Sequence, residues 1–244
     1  MRRWLFWIGI EWTIIAATML SVYVVPWLAP LAIVVIGSRQ QALAVLGHEA
    51  VHHAVAGQSL RANQIANLFC YWPIGVDLYG FREFHLRHHA YLGTAHDPEV
   101  QERALFTDAW TELTADKKRL LILRDMIGAG IPESLSIMRQ VGGAYHWPRV
   151  TFLVVSIAAG LVLAPWLLLL WVWCVLTVGF ACARARMWRE HYDLGPGETH
   201  EYVAAWWERA LYLPHYIWLH LEHHRHGNWS TSAWSLARPC VKSF

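Results

Sequence analysis

Two apolar stretches constrain this chain more than any other feature. Trp4 to Gly37 is apolar apart from Glu11 and a few small polar groups, and Val150 to Cys182 carries no charge. Inside a bilayer no water serves the backbone, so a spanning segment must be a helix or part of a closed barrel. A helical crossing takes about 20 residues, so each stretch is too long for one crossing. Each is also interrupted by proline, at Pro26 and Pro30 and at Pro165. Proline breaks a helix because it lacks the N–H and clashes with the preceding turn. Each stretch therefore reads as a hairpin, the first with helices from about Trp4 to Tyr23 and from about Trp27. The expected fold is an all-α integral membrane protein: two transmembrane hairpins, four crossing helices, and one domain over residues 1–244. No small-residue cleavage site ends a short apolar core before the second span, which argues against a removed signal peptide.

Composition agrees with a bilayer setting. Charged residues make up 16%, below the roughly 25% of soluble domains. There are 16 tryptophans, a residue that collects at membrane interfaces. A net charge of +2 gives no footprint for nucleic acid. The cysteines Cys70, Cys174, Cys182 and Cys240 show no C-x-x-C spacing, so neither a disulfide framework nor a rubredoxin-type iron site is expected. Neither hairpin turn is charged, whereas Arg2, Arg3, Arg39, Arg61, Arg149, Arg184, Arg186 and Arg189 flank the apolar stretches at their other ends. The positive-inside rule makes that side cytoplasmic, together with both termini. Arg61 to Gly80, interrupted by Pro73, reads as an interfacial or re-entrant segment. Thr107 to Tyr145 reads as cytoplasmic amphipathic helices: Thr114 caps a run from Ala115 to Ile127, Pro132 opens the next helix, and Gly142-Gly143 closes it. Leu194 to Gly197 is a turn.

The polar part of the chain is dominated by three histidine patterns. They are His48-Glu49-Ala50-Val51-His52-His53, His85-Leu86-Arg87-His88-His89 and His220-Leu221-Glu222-His223-His224. Residues three and four apart share a helix face, so each pattern presents several imidazoles in one direction. Three such faces can converge on metal, and imidazole suits zinc, copper, iron and nickel.

In this order, with Gly93-Thr94-Ala95-His96-Asp97-Pro98-Glu99 after the second pattern, the sequence resembles the membrane fatty acid desaturase superfamily, which also holds hydroxylases. The resemblance implies two iron ions bound by His48, His52, His85, His88, His89, His191, His220, His223 and His224, with His191 as the extra ligand beyond the last membrane helix. Nine imidazoles exceed the three or four of a zinc site. It also implies dioxygen as cosubstrate, electrons from an external donor, and removal of hydrogen from an unactivated carbon to give an alkene or an alcohol. His53 is a possible tenth ligand or outer partner. Asp97, Glu49, Glu190 and Glu222 are candidates to accept the far N–H of a metal-bound imidazole. His96, His146, His200, His215 and His226 are read as structural or surface groups.

Two other functions fit parts of the pattern. His48-Glu49-x-x-His52 is the HExxH of an intramembrane zinc protease with Glu49 as base, but no later membrane segment supplies an Asp ligand. A metal carrier or sensor would need an ion path, and neither hairpin has rows of His, Asp or Cys. Within the oxidoreductase reading the substrate is open, and the resemblance implies an acyl lipid. The alternative is a small polar metabolite, such as an amino acid in a biosynthetic pathway, because Arg39, Gln40 and Gln41 lie just ahead of the first pattern. With no C-x-x-C pair or spare region, the donor is expected to be a separate ferredoxin-, rubredoxin- or cytochrome b5-type protein. Arg184, Arg186, Arg189, Lys117, Lys118 and Arg119 are its candidate docking patch. No feature sets the oligomeric state. Glu11 and Arg39 fall at similar depth on neighbouring helices, and are expected to pair beneath the metal unless Arg39 faces substrate or both are solvated.

Overall fold

The computed structural model describes residues 1–104, 113–143, 147–192 and 194–226. His146, Cys240 and the start of the expected cap at Thr107 lie outside them. All regular elements among the described residues are helical. The first hairpin is α1 (Arg2–Val24) and α2 (Ala29–Val51), joined by a single turn of 3₁₀-helix at Pro26–Leu28. The second is α8 (Trp147–Leu163) and a long helix opened by Pro165, built of α9 (Pro165–Cys174), a π-helical turn at Val175–Gly179 and α10 (Phe180–His191). Prolines thus open the second helix of each hairpin, where a missing N–H costs nothing. Tyr23 stacks on Trp166 with centroids 6.2 Å apart, so the two hairpin turns lie at the same end.

Among the described residues, three helices are long and apolar enough to cross a membrane: Arg2–Val24, Pro26–Val51 and Pro165–His191. The chain is therefore a multi-pass membrane-type fold. The fourth expected crossing, α8, is apolar but has 17 residues, about 26 Å at 1.5 Å per residue, slightly short of a hydrocarbon core of about 30 Å. None of its residues is buried.

The interrupted segment expected between residues 61 and 80 is α3 (Leu60–Ala66), a π-helical turn at Asn67–Tyr71 and a 3₁₀ turn at Trp72–Ile74. Irregular backbone at such depth needs partners, and tryptophan supplies two of them. Trp12 donates its indole N–H to the Phe69 carbonyl at 2.9 Å, and Trp171 donates to Pro73 at 2.8 Å. Trp4 does the same for Leu46 in α2 at 2.8 Å. The expected interfacial role of tryptophan is thus joined by a second one, pinning carbonyls inside the helix bundle.

Above these helices sits a cap of α4 (Leu78–Tyr91), α5 (Pro98–Ala104), α6 (Ala115–Met126), α7 (Ile131–Val141), α11 (Trp206–Leu211) and α12 (His220–Arg225). Asp77 caps α4 through the Tyr79 N–H at 2.9 Å, and Thr114 caps α6 as its sequence suggests. Pro132 lies in the first turn of α7. Cys70, Cys174 and Cys182 are free thiols.

Two buried ionic clusters tie the cap to the membrane helices. Arg184 on α10 is 1% exposed and pairs with Asp125 at 2.5 Å and with Glu133, which also holds Arg124. On α10 itself, Arg186 shares its Nε–H between the two Glu190 oxygens at 2.8 and 3.0 Å. Both arginines therefore drop out of the expected docking patch: their charges are spent inside the protein. Glu11 and Arg39 pair at 3.2 Å, with Glu11 2% exposed and also 2.8 Å from His215 Nε2. Arg39 reaches on to the Ala210 carbonyl, so this pair clamps α1 and α2 to α11 and, through His215, to the chain after it.

Breaking a buried pair strands its partner and costs about 3–5 kcal/mol. His215 and the Ala210 carbonyl soften the loss here. Glu11→Gln and Arg39→Gln should each lower the melting temperature, with a cost near the bottom of that range, and the double substitution should recover part of it. Additive losses in the double variant would contradict the pairing.

Candidate metal centre

The imidazoles arrive from four directions. His48 lies in the last turn of α2 and His52 at its C-terminal cap. His85, His88 and His89 occupy one face of α4, His191 ends α10, and His220, His223 and His224 occupy one face of α12. Their metal-facing nitrogens gather in two groups. The first holds His48, His52, His85, His89 and His223, and the second His88, His191 and His224, with His220 reaching His191 beside Glu190. Within each set the ligand atoms lie within 4.8 Å of one another. The groups are adjacent, since the His89 and His224 rings stack at 4.1 Å.

His85 Nε2 lies 2.7 Å from His48 Nε2 and 2.9 Å from those of His52 and His89. His89 Nε2 is 3.1 Å from that of His223. In the second group, His191 Nε2 is 3.2 Å from His88 and 2.9 Å from His220, which is 3.0 Å from His224. A neutral imidazole has one N–H, so His85 can donate in no more than one of its three contacts. The others set like against like. A cation at the centre removes that conflict, and ligands at right angles on bonds of about 2.1 Å would stand about 3.0 Å apart. The donor set therefore fits metal.

The electrostatics point the same way. Burial, ahead of neighbouring charges, pushes His52 down to about 4, His224 to about 3 and His89 to about 2. It holds His85, His220 and His223 well below the ordinary histidine value too. These rings are neutral near pH 7, the form that binds metal. His88 departs from the pattern. Burial lowers it, but Glu99 and Asp97 outweigh burial and raise it.

The outer partners are sorted by contact. Asp97, fully buried, accepts from His88 Nδ1 at 3.0 Å, from the Gly93 N–H at 2.9 Å and from the Glu99 N–H at 2.9 Å. It thus fixes the ring and caps α5 together. Glu190 lies 3.4 Å from His220 Nδ1 while holding Arg186. Glu49 is buried beside His48 but belongs to neither group. No hydrogen bond joins the Glu222 side chain to an imidazole among the described residues. His53 sits at φ 58° in the turn after α2, outside both groups. His200 bonds the Tyr192 carbonyl, His215 bonds Glu11, and neither they nor His96 and His226 join the groups.

Beside the first group is a cavity of about 190 Å³ whose wall includes His85, Gln40, Gln41, Glu102, Arg186 and Glu190. Gln40 and Gln41 fall where a substrate-lining role was expected. Arg39 does not, because it turns to Glu11. Sequence reasoning missed Glu99, Glu102 and Arg186 as groups around the centre. The signal for the first two was available: they are three apart after the Asp97-Pro98 turn.

The fatty acid desaturase profile matches residues 22–243 of this chain. The chain belongs to the fatty acid desaturase family. Among curated proteins it is similar to dihydrorhizobitoxine desaturase of Bradyrhizobium elkanii, 34% identical over 91 residues. The alignment covers 36% of this chain and 25% of that protein, so the two share a segment only. No solved structure matches. For this family member, His223→Ala should lower metal per chain in elemental analysis, whereas His226→Ala should not. Asp97→Asn should weaken metal binding about 10–100-fold, the usual effect of losing an outer partner, and competition with a chelator measures it.

Proposed function

We propose that this protein is an oxygen-dependent, two-iron membrane oxidoreductase that desaturates, or alternatively hydroxylates, an unactivated carbon position. The observation that carries the reading is the pair of adjacent imidazole groups, five and four strong, within a chain of this family. His48, His52, His85, His89 and His223 would hold one iron, and His88, His191, His220 and His224 the other. When bound, the iron pair supplies dioxygen activation and hydrogen removal from carbon. Desaturation removes two hydrogens from neighbouring carbons. Dioxygen, two external electrons and two protons account for them as two waters.

The chain's own residues position and seal that chemistry. Asp97 orients the His88 ring on α4, and Glu190 lies beside the His220 ring on α12. The Glu190–Arg186 pair forms part of the cavity wall on α10. Desaturation is supported by the name of the relative, which denotes that reaction on dihydrorhizobitoxine. A three-ligand zinc protease or a carrier would leave most of these buried imidazoles without a role.

An acyl-lipid substrate is supported by a large apolar groove of about 1000 Å³ among α1, α8, α9 and the Leu68–Gly75 segment. It meets the cavity at Ile74, Met138 and Val175, which line both. A small polar substrate is supported by Gln40, Gln41 and Glu102 on the cavity wall. Two hairpins would give four crossings, α8 completing its span through local thinning of the bilayer. The cap and termini face the cytoplasm of a bacterial inner membrane under this reading. A separate ferredoxin-, rubredoxin- or cytochrome b5-type donor would dock there, near Lys117, Arg119 and Arg189, which keep exposed charge.

The test is an iron-loaded, reductant-driven assay on lipid and polar extracts, read by mass spectrometry. Oxygen-dependent loss of two mass units from one component is the expected result, absent in His223→Ala. A gain of sixteen selects hydroxylation. Activity that follows zinc and needs no oxygen would overturn the proposal.

A further inference from the structure

The wall of the metal-side cavity is short of donors. Glu102, on α5, is 2% exposed, and neither of its carboxylate oxygens has a hydrogen-bond partner among the described residues. Gln40, also 2% exposed, donates its amide to the Trp171 carbonyl at 3.1 Å and leaves Oε1 without a donor. Glu99, on the same face of α5 as Glu102 by its spacing, has one oxygen in the same state, 4.0 Å from His88 Nδ1. All three residues line the cavity. Arg186 also lines it, with its Nε–H shared between the two oxygens of Glu190, the third carboxylate there.

Buried acceptors without donors are costly, and an unpaired buried carboxylate more so. What would satisfy this wall is a group with several N–H donors and a positive charge. A protonated amine has three donors and no acceptor. The remaining wall suits the rest of such a molecule: Phe84, Ile137, Met138 and Val175 offer apolar surface to a carbon chain. A bare metal cation would find no use for them. At about 190 Å³ the space is below the roughly 300–1,000 Å³ of drug-sized sites, so the occupant is compact.

We propose that this cavity binds the protonated amine of a small substrate, with Glu102 as its counter-charge and Gln40 Oε1 as a second acceptor. The inference deepens the oxidoreductase reading and rests on it for calling the occupant a substrate. Glu102 is then a specificity-determining residue: it excludes fatty acids, whose carboxylate would face another carboxylate.

The experiment uses the full chain in detergent, without added iron, and three probes of one size: n-butylammonium, butan-1-ol and butyrate. Calorimetry should show the ammonium binding at least about tenfold tighter than either other probe, the effect of one hydrogen bond to a charged group. Glu102→Gln should bring the three within about twofold of one another, on the same scale. It should not lower the melting temperature of the free protein, since it removes a charge that has no partner. Glu201→Gln, at an exposed carboxylate outside the cavity, should keep the preference. If Glu102→Gln does not fold, Glu102→Asp retains the charge and should keep an ammonium preference at lower affinity. Equal binding of the three probes by the wild type, or an undiminished preference in Glu102→Gln, overturns the proposal. An intact preference in a protein that oxidises nothing would overturn the oxidoreductase reading and leave the amine site standing. Turnover of a neutral lipid with no ammonium preference would do the reverse.

Discussion

Nine imidazole nitrogens are held closer together than their hydrogens allow, and the rest of the protein arranges for that. No imidazole group of this kind is stable alone in a helix, because helices carry their side chains outward. Four helices must therefore point inward at once. Two of them, α2 and α10, are the ends of membrane-spanning segments, and two, α4 and α12, belong to the cap. The bilayer fixes the first pair. The second pair is fixed by polar contacts: Asp77 starts α4, Arg82 ties it to the end of α2 through the Ala50 and Val51 carbonyls at 2.7 and 3.0 Å, and Asp97 stops it from drifting from α5.

The ionic interior follows from the same demand. Arg184 with Asp125 and Glu133, and Arg39 with Glu11, each join elements that the metal requires to stay in register, while Arg186 and Glu190 pair within α10. Buried pairs are weak evidence for stability, because desolvation offsets their attraction. Their geometry here serves position instead. The orphaned Glu102 stands out against that background of satisfied charges, which is why it bears on ligand recognition.

Much of this was legible in the residues. The prolines at 26, 30 and 165 divide the apolar stretches where the helices divide, because a missing N–H is a local property. The i, i+3 and i+4 spacing of the histidines put each set on one face, and similar depth on neighbouring helices placed Glu11 beside Arg39. What was not legible depended on partners distant in sequence. Arg184 and Arg186 look like ordinary flanking cations, and only their burial against Asp125, Glu133 and Glu190 removes them from the surface. Arg39, Gln40 and Gln41 look equivalent in a row, yet a rotation of about 100° per residue sends the first to Glu11 and the other two to the cavity. His53 looks like one more ligand of its triplet, but the helix ends before it and turns it out.

The π-helical turn at Val175–Gly179 has a consequence for how this chain can vary. A π turn closes its hydrogen bonds one residue later than an α turn, so it stores one extra residue in a helix that is otherwise in α phase. Everything after it, through Arg184, Arg186, Glu190 and His191, is advanced by about 100° relative to the apolar half. The membrane half and the chemical half of this helix are thereby set independently. Length changes of a single residue anywhere between Pro165 and His191 would re-phase one half against the other, whereas substitutions would not. Relatives should thus tolerate wide sequence change along the apolar half of this helix while keeping its residue count.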